Sequence, residues 1–361
     1  MVDGLPPEIT PLGGEHFTPE ATPVFTAKEN TNITSLTTGK KTSYLVRLGA
    51  LPSSTSVGRV KPETLQEWQD EFLNDEKKLK CSTVKVSTSD NVNIEMFQMI
   101  HPKPGKKWVI AFNPNMGHFQ DRLDFLSQYA KKADVNILAV NYRGTGNSEG
   151  TPNTLSDLVL DGDAAVQYVM SLGVKPEDIL LYGHSIGGSV AAHVAAVNQN
   201  TNYIGDRTFD KISNVAKKYL PGVSPSVIKK ANWDLDTASQ LDKITGRKAI
   251  IQHKKDRLIH QEKSSLYAAA EKQMGDKTTT ALTNAVENES SDNKTRTVLL
   301  RDTWARVEMK PGKNKYVPDT DSTKKQWKVL NRHDDAHNYT YNHLPDMDIL
   351  VRETKWALKT Q

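Results

Sequence analysis

The sequence predicts an α/β fold, with a mostly parallel central sheet and helices on both faces. Three observations predict it. Four short apolar runs, Trp108–Phe112, Val135–Val140, Ile179–Tyr182 and Lys248–Gln252, lack the alternation of a half-exposed strand. Such runs suit strands buried on both faces. Helical patterns separate them, over 119–132, Leu155–Leu172 and Gly188–Ala196, and strands alternating with helices imply βαβ crossovers. Of the 361 residues, 37% are apolar and 25% charged, with 21 Gly and 17 Pro. That is near globular usage and excludes collagen-like and wholly disordered chains.

In chain order, residues 1–60 are rich in Pro, Gly, Ser and Thr and read as an irregular arm with one short strand at Tyr44–Leu48. Glu63–Lys80 spaces Leu65, Trp68 and Phe72 by three and four, with Glu67, Asp70 and Glu71 between them. This is an amphipathic helix packed on the body of the protein. Val84 and Val86, then Val92, Ile94 and Met96, alternate as a hairpin around Ser89-Asp90-Asn91. The helix over Leu155–Leu172 carries Leu158, Ala165, Val166, Val169 and Met170. Residues 272–325 are polar and read as an insertion decorating the sheet, with a strand or hairpin at Thr297–Met309. The expected organisation is an N-terminal arm with one helix over 1–82, then one α/β domain over 83–361 interrupted at about 272–325. No internal repeat is visible.

Several function classes are excluded. Lys and Arg total 47 against 43 Asp and Glu, and the excess of +4 is dispersed, so nucleic-acid binding is not expected. No run approaches the roughly 20 apolar residues of a membrane helix. The single cysteine, Cys81, excludes an internal disulfide framework and a cysteine-based zinc cluster, and it reads as a plain unreactive thiol. The segment MVDGLPPEITPLGGEHF has no basic leader followed by an apolar stretch, so a secretory signal is not expected and a cytoplasmic location is. Gly144-Thr-Gly146-Asn-Ser148-Glu149 begins like a dinucleotide fingerprint but lacks its third glycine.

The most informative segment is Ile179-Leu-Leu-Tyr-Gly183-His184-Ser185-Ile186-Gly187-Gly188. An apolar strand runs into G-x-S-x-G, and a small-residue helix follows. A sharp strand-to-helix turn exposes the serine hydroxyl on a strained backbone. Side chains at the flanking positions would collide across it. The helix N-terminus then faces the reaction centre, where it stabilises developing negative charge.

A serine hydroxyl is a poor nucleophile until a base takes its proton, and that base needs an orienting acid. In this architecture they follow in the order Ser, acid, His. Asp256 lies in the turn after strand Lys248–Gln252, where an open parallel sheet gathers its site residues; Asp206, after the preceding strand, is the rival. For the base, His337 opens the final helical region after the strand Lys328-Val329-Leu330, with His333 and His343 as competitors. The cluster around them matches no metal-ligand spacing, so no metal and no cofactor are expected. An oxyanion needs two preorganised N–H donors. Ile186 supplies one. The loop Asn113-Pro114-Asn115-Met116 supplies the other, and because Pro114 has no N–H, Asn115 is the candidate with Met116 behind it.

Together these residues resemble the α/β-hydrolase superfamily, and the middle of the chain is similar to Bem46-like acyl hydrolases. Asn141-Tyr-Arg-Gly144-Thr-Gly146-Asn-Ser148-Glu-Gly150-Thr-Pro152 resembles that branch's loop after its fourth strand, and Asp206-Arg207-Thr208-Phe209 resembles a loop that lies near the substrate pocket in relatives. The resemblance covers roughly 83–268 and 325–355. It implies the α/β-hydrolase fold and a serine hydrolase of carboxylesterase, thioesterase or lipase type. Such an enzyme cleaves a small-molecule or lipid-like acyl substrate through Ser185, His337 and Asp256. The chain departs from relatives at Asn113-Pro114, where they carry His-Gly, and in the long gap between Asp256 and His337. These departures and the N-terminal arm leave one alternative, a non-catalytic binding or adaptor protein that keeps the hydrolase shell. Decorated hydrolases of this kind also resemble effectors of intracellular bacteria, for which a leaderless export route is implied.

Overall fold

The computed structural model describes residues 25–33, 62–76, 78–102, 105, 107–115, 117–219, 235–256, 258–282, 285–300, 305–310, 313–318 and 344–360. The expected strand at Tyr44–Leu48, the strand Lys328–Leu330 and the three competing histidines lie outside them. The chain divides into two compact units, Met1–Leu180 and Leu181–Gln361.

The first unit opens with β1 (Phe25–Thr26) and α1 (Pro62–Asp75). On α1, Leu65 and Phe72 are buried as expected, but Trp68 is 38% exposed and Gln69 is buried in its place. The buried stripe runs through Leu65, Gln69 and Phe72, because the Gln69 amide finds a partner in Thr83 Oγ1 at 2.9 Å and can be buried without an unmet hydrogen bond. The helix stops before the predicted Lys80 because the Glu76 carboxylate turns back to accept the amides of Lys78 and Leu79 at 2.8 and 3.2 Å. The hairpin is as predicted: β2 (Lys80–Ser87) pairs antiparallel with β3 (Asn93–Ile100), Ser87 opposite Asn93. Next come β4 (Trp108–Phe112), α2 (Leu123–Ala133), β5 (Asn136–Val140) and α3 (Leu155–Ser171). β4 and β5 are parallel, β3 and β5 antiparallel, and the order is β1-β2-β3-β5-β4. Both parallel strands are buried along their whole length. α3 starts at a capping box in which Thr154 and Asp157 satisfy each other's backbone amides. It packs on β2, β4 and β5, and of its predicted apolar face only Met170 points outward.

The second unit continues β6 (Ile179–His184) into α4 (Ile186–Val197), β7 (Asn202–Asp206), α5 (Ile212–Tyr219), β8 (Lys248–His253) and α6 (Leu266–Gln273). There follow β9 (Lys277–Ala281), β10 (Ala285–Ser290), β11 (Thr295–Leu300), the hairpin β12 (Ala305–Lys310) with β13 (Lys313–Pro318), and α7 (Leu344–Leu358). The strand order is β6-β7-β8-β11-β10-β9. β7, β8 and β11 run parallel, and β10 and β9 extend the edge antiparallel. The polar stretch read as decoration thus contributes β11 directly beside β8. Its ladder is held by polar pairs such as Arg296 with Glu289 at 3.0 Å and Thr279 with Asn288 at 2.7 Å. Helix α4 is buried from Ile186 to Ala196, which its Gly, Ala, Ser and Val side chains allow. α4 packs on β7, α7 on β7 and β8, and α6 on β8 and β11.

Candidate active site

Ser185 joins β6 to α4 with φ 57° and ψ −121°, a conformation that L-residues adopt only when the surroundings over-determine it. The neighbours that enforce it are backbone. A Cβ on Gly183 would fall inside 3.0 Å of Gly187 O, Gly187 C and Gly188 N, and one on Gly188 would stand 2.8 Å from Gly183 O and closer still to Thr208 Oγ1. The Ser185 amide donates to Asp206 O at 2.9 Å, tying the end of β6 to the end of β7. Ile186 is the first residue of α4, so its N–H has no carbonyl one turn back to bond with and carries the positive end of the helix dipole.

Asp256 is buried in the turn after β8. Its Oδ1 accepts the amides of Leu258 and Ile259 at 2.9 and 2.8 Å, and Gln252 Nε2 lies 3.2 Å from Oδ2. These donors fix the carboxylate's orientation. Ser185 and Asp256 therefore terminate β6 and β8, strands separated only by β7. The rival acid, Asp206, is fully buried and bound by its neighbour: Arg207 Nε and Nη2 reach its two oxygens at 2.8 and 2.7 Å, and the Tyr182 hydroxyl donates to it at 3.2 Å. Two charge-assisted hydrogen bonds to one guanidinium thus hold both oxygens of Asp206. His253, at the end of β8, is pushed down to about 4 by burial and by the nearby Arg207 guanidinium, so it is neutral at neutral pH, and its Nδ1 accepts the Lys255 amide at 3.0 Å.

In the first unit, the loop after β4 turns tightly at Pro114–Gly117, with Gly117 N donating to Pro114 O at 3.2 Å. That turn's hydrogen bond does not use the Asn115 amide. Asn113 holds the end of β5: its Nδ2 donates to Val140 O at 2.9 Å. The glycine-rich loop after β5 is likewise structural. Arg143 bridges Asp161 at 2.8 Å and Asp90 at 2.7 Å, and Glu95 accepts from Asn141 and Asn147 at 2.8 Å each. His337 and its competitors lie outside the described residues, as does Met116. Among the described residues, no group of His, Cys, Asp or Glu could hold a metal ion, and no helix is long and apolar enough to cross a membrane.

Sequence reasoning gave no bracing role to Tyr182, Tyr203 and Thr208 at the elbow or to Gln252 beside Asp256. Gln252 carries a usable signal, a polar side chain closing an apolar strand just before the acid's turn. Tyr182 and Tyr203 read as ordinary strand residues.

A family model described as Chlamydia CHLPS protein (DUF818) matches residues 44–295. The chain belongs to this family. It is also 26% identical to the protein Bem46 of Schizosaccharomyces pombe over 148 residues, 40% of this chain and 49% of that protein. Against the α/β-hydrolase domain-containing protein WAV2 of Arabidopsis thaliana it is 27% identical over 140 residues, 38% of this chain and 45% of that one. Against phosphatidylserine lipase ABHD16A of Bos taurus it is 29% identical over 160 residues, 43% and 28% of the two chains. The chain spans about half the length, or less, of these relatives. The strand–helix order and the elbow, with the relationship to Bem46 and WAV2, make this an α/β-hydrolase fold.

Proposed function

We propose that this chain is a serine hydrolase that cleaves an ester, thioester or related acyl bond. Ser185 Oγ attacks the carbonyl carbon while His337 takes its proton. His337 then returns that proton to the leaving group, and water, activated by the same histidine, releases the acid from Ser185. Asp256 orients His337 and stabilises its charged form. The Ile186 amide, with the Asn115 amide as second donor, holds the oxyanion. The observation that carries the reading is the Ser185 backbone at φ 57° on a strand-to-helix turn closed by glycine contacts. The Asp256 carboxylate held by turn amides at the end of β8 supports it, and the match to a phosphatidylserine lipase favours a lipid-like acyl group.

The test is reaction with a fluorophosphonate, followed by p-nitrophenyl esters of increasing chain length. Ser185 is expected to form the adduct and Ser185→Ala to form none. Asp256→Asn is expected to lower kcat by on the order of 10⁴. A folded protein with no Ser185 adduct would sink the proposal.

A further inference from the structure

We propose that the buried Asp206–Arg207 ion pair is a positioning device for the Ser185 elbow, an inference that rests on the serine-hydrolase reading above. The pair is unusual in joining sequence neighbours. Arg207 Nε and Nη2 bind both oxygens of the preceding carboxylate, at 2.8 and 2.7 Å, with both side chains essentially inaccessible. Arg207 makes the fork at φ +46°, a second positive-φ residue one strand from the first.

The single peptide unit between Asp206 and Arg207 is what this closure immobilises. Its carbonyl accepts the Ser185 amide at 2.9 Å, and its N–H donates to Ile251 O at 2.7 Å. One peptide plane therefore spans from the nucleophile's backbone to β8, the strand whose turn carries Asp256. With both flanking side chains joined by the fork, that plane cannot rotate without breaking two charge-assisted hydrogen bonds in a dry interior. Neighbouring groups hold the same elbow. Tyr182, three residues before Ser185, donates to Asp206 Oδ2 at 3.2 Å, Tyr203 donates to Gly188 O at 3.0 Å, and Thr208 occupies the space a Gly188 side chain would need. A buried ion pair is often no better for stability than apolar residues of the same size, so folding alone gives little reason for it. A fixed orientation at the nucleophile does.

Three variants test this, each read by melting temperature, rate of fluorophosphonate labelling, and kcat and KM on a p-nitrophenyl ester. Asp206→Asn/Arg207→Met removes both charges together, so no uncompensated ion is left buried. It is expected to melt within a few degrees of the wild type while kcat and labelling fall roughly ten- to a hundredfold at nearly constant KM, the loss that misplacement on the order of 1 Å produces. Arg207→Lys keeps the charge but loses the fork and is expected to fall between. Tyr182→Phe removes one brace and is expected to lose a few-fold in kcat alone. If the double variant does not fold, the other two decide. Wild-type kcat in the folded variants overturns the proposal, and so does a loss of kcat only in step with the folded fraction. An unreactive wild type overturns the serine-hydrolase reading and this inference with it, whereas a reactive wild type with equally reactive variants overturns the positioning role alone.

Discussion

At the nucleophile the backbone is held against its own preference, and single substitutions should expose the balance. Ser185 at φ 57° and ψ −121° carries strain that glycine would not. Ser185→Gly is therefore expected to be inactive yet about 1 kcal/mol more stable than the wild type, measured by urea unfolding; a less stable variant would show that the side chain stabilises the turn. Gly183→Ala should act in the opposite sense. Its methyl would press on the backbone of Gly187 and Gly188, where no side chain can swing away, and a loss of roughly 1–3 kcal/mol is expected, as for other overpacked sites. Cys81 makes a third residue-scale prediction. Burial, with Glu76 adding to it, pushes its thiol up to about 12, so almost no thiolate exists at pH 8. Ellman's reagent should react slowly with half-buried Cys81 in the native protein and titrate it fully in urea; fast native reaction would contradict the raised thiol.

Among the elements, legibility in the sequence follows the kind of force that holds each one. β4, β5, β6 and β8 are readable because strands buried on both faces must be apolar throughout. The strand or hairpin read at Thr297–Met309 falls on β11 and β12, since β11 buries Val298 and Leu300. β9 and β10 are not readable, because polar pairs join them: β9 is exposed along its whole length, and Thr279 bonds Asn288. Composition alone makes such residues look like loop. On α1 the apolar spacing names the right helix but the wrong inner residue, since Gln69 finds Thr83 and displaces Trp68 from the core. Within the candidate site, Ser185 and Asp256 are legible because each closes an apolar strand. The Asp206–Arg207 fork is not, because it depends on a left-handed backbone that no residue type announces. The capping box of α3 is testable. Thr154 accepts an amide that would otherwise be orphaned, and Asp157 returns the bond to Thr154 N at 3.0 Å. Thr154→Ala is expected to cost about 1 kcal/mol in chemical unfolding without altering the labelling rate of Ser185, whereas lost labelling would tie this helix end to the site.

Over the whole molecule, buried histidines and buried acids together set how stability responds to pH. His193 on α4, with Nδ1 2.8 Å from Ser189 O, is pushed down to about 4 by burial, and His253 to about the same value by burial and Arg207. In the unfolded chain both titrate near 6.5. Between those limits the unfolded state binds protons that the folded state refuses, so stability is complete above 6.5 and is lost as pH falls towards 4. Glu353 works against this trend: burial, with Glu287 nearby, outweighs the attraction of Arg352 and Arg296 and raises it to about 7. The folded state then keeps a proton that the unfolded chain releases above about 4.5, and this contribution declines as pH rises from there to 7. Asp161, raised to about 6 by burial despite its bond to Arg143, opposes the histidines in the same sense. Two histidines therefore meet two acids, and the melting temperature should change little from pH 4.5 to 6.5. His193→Asn, whose amide can keep the bond to Ser189 O without titrating, should tilt that slope downward with rising pH, and Glu353→Gln should tilt it upward. Melting curves at pH 4.5, 5.5 and 6.5 for the three proteins check the signs. A slope that His193→Asn leaves unchanged would mean that this histidine is protonated inside α4, and that the helix is far less tightly enclosed than its burial from Ile186 to Ala196 requires.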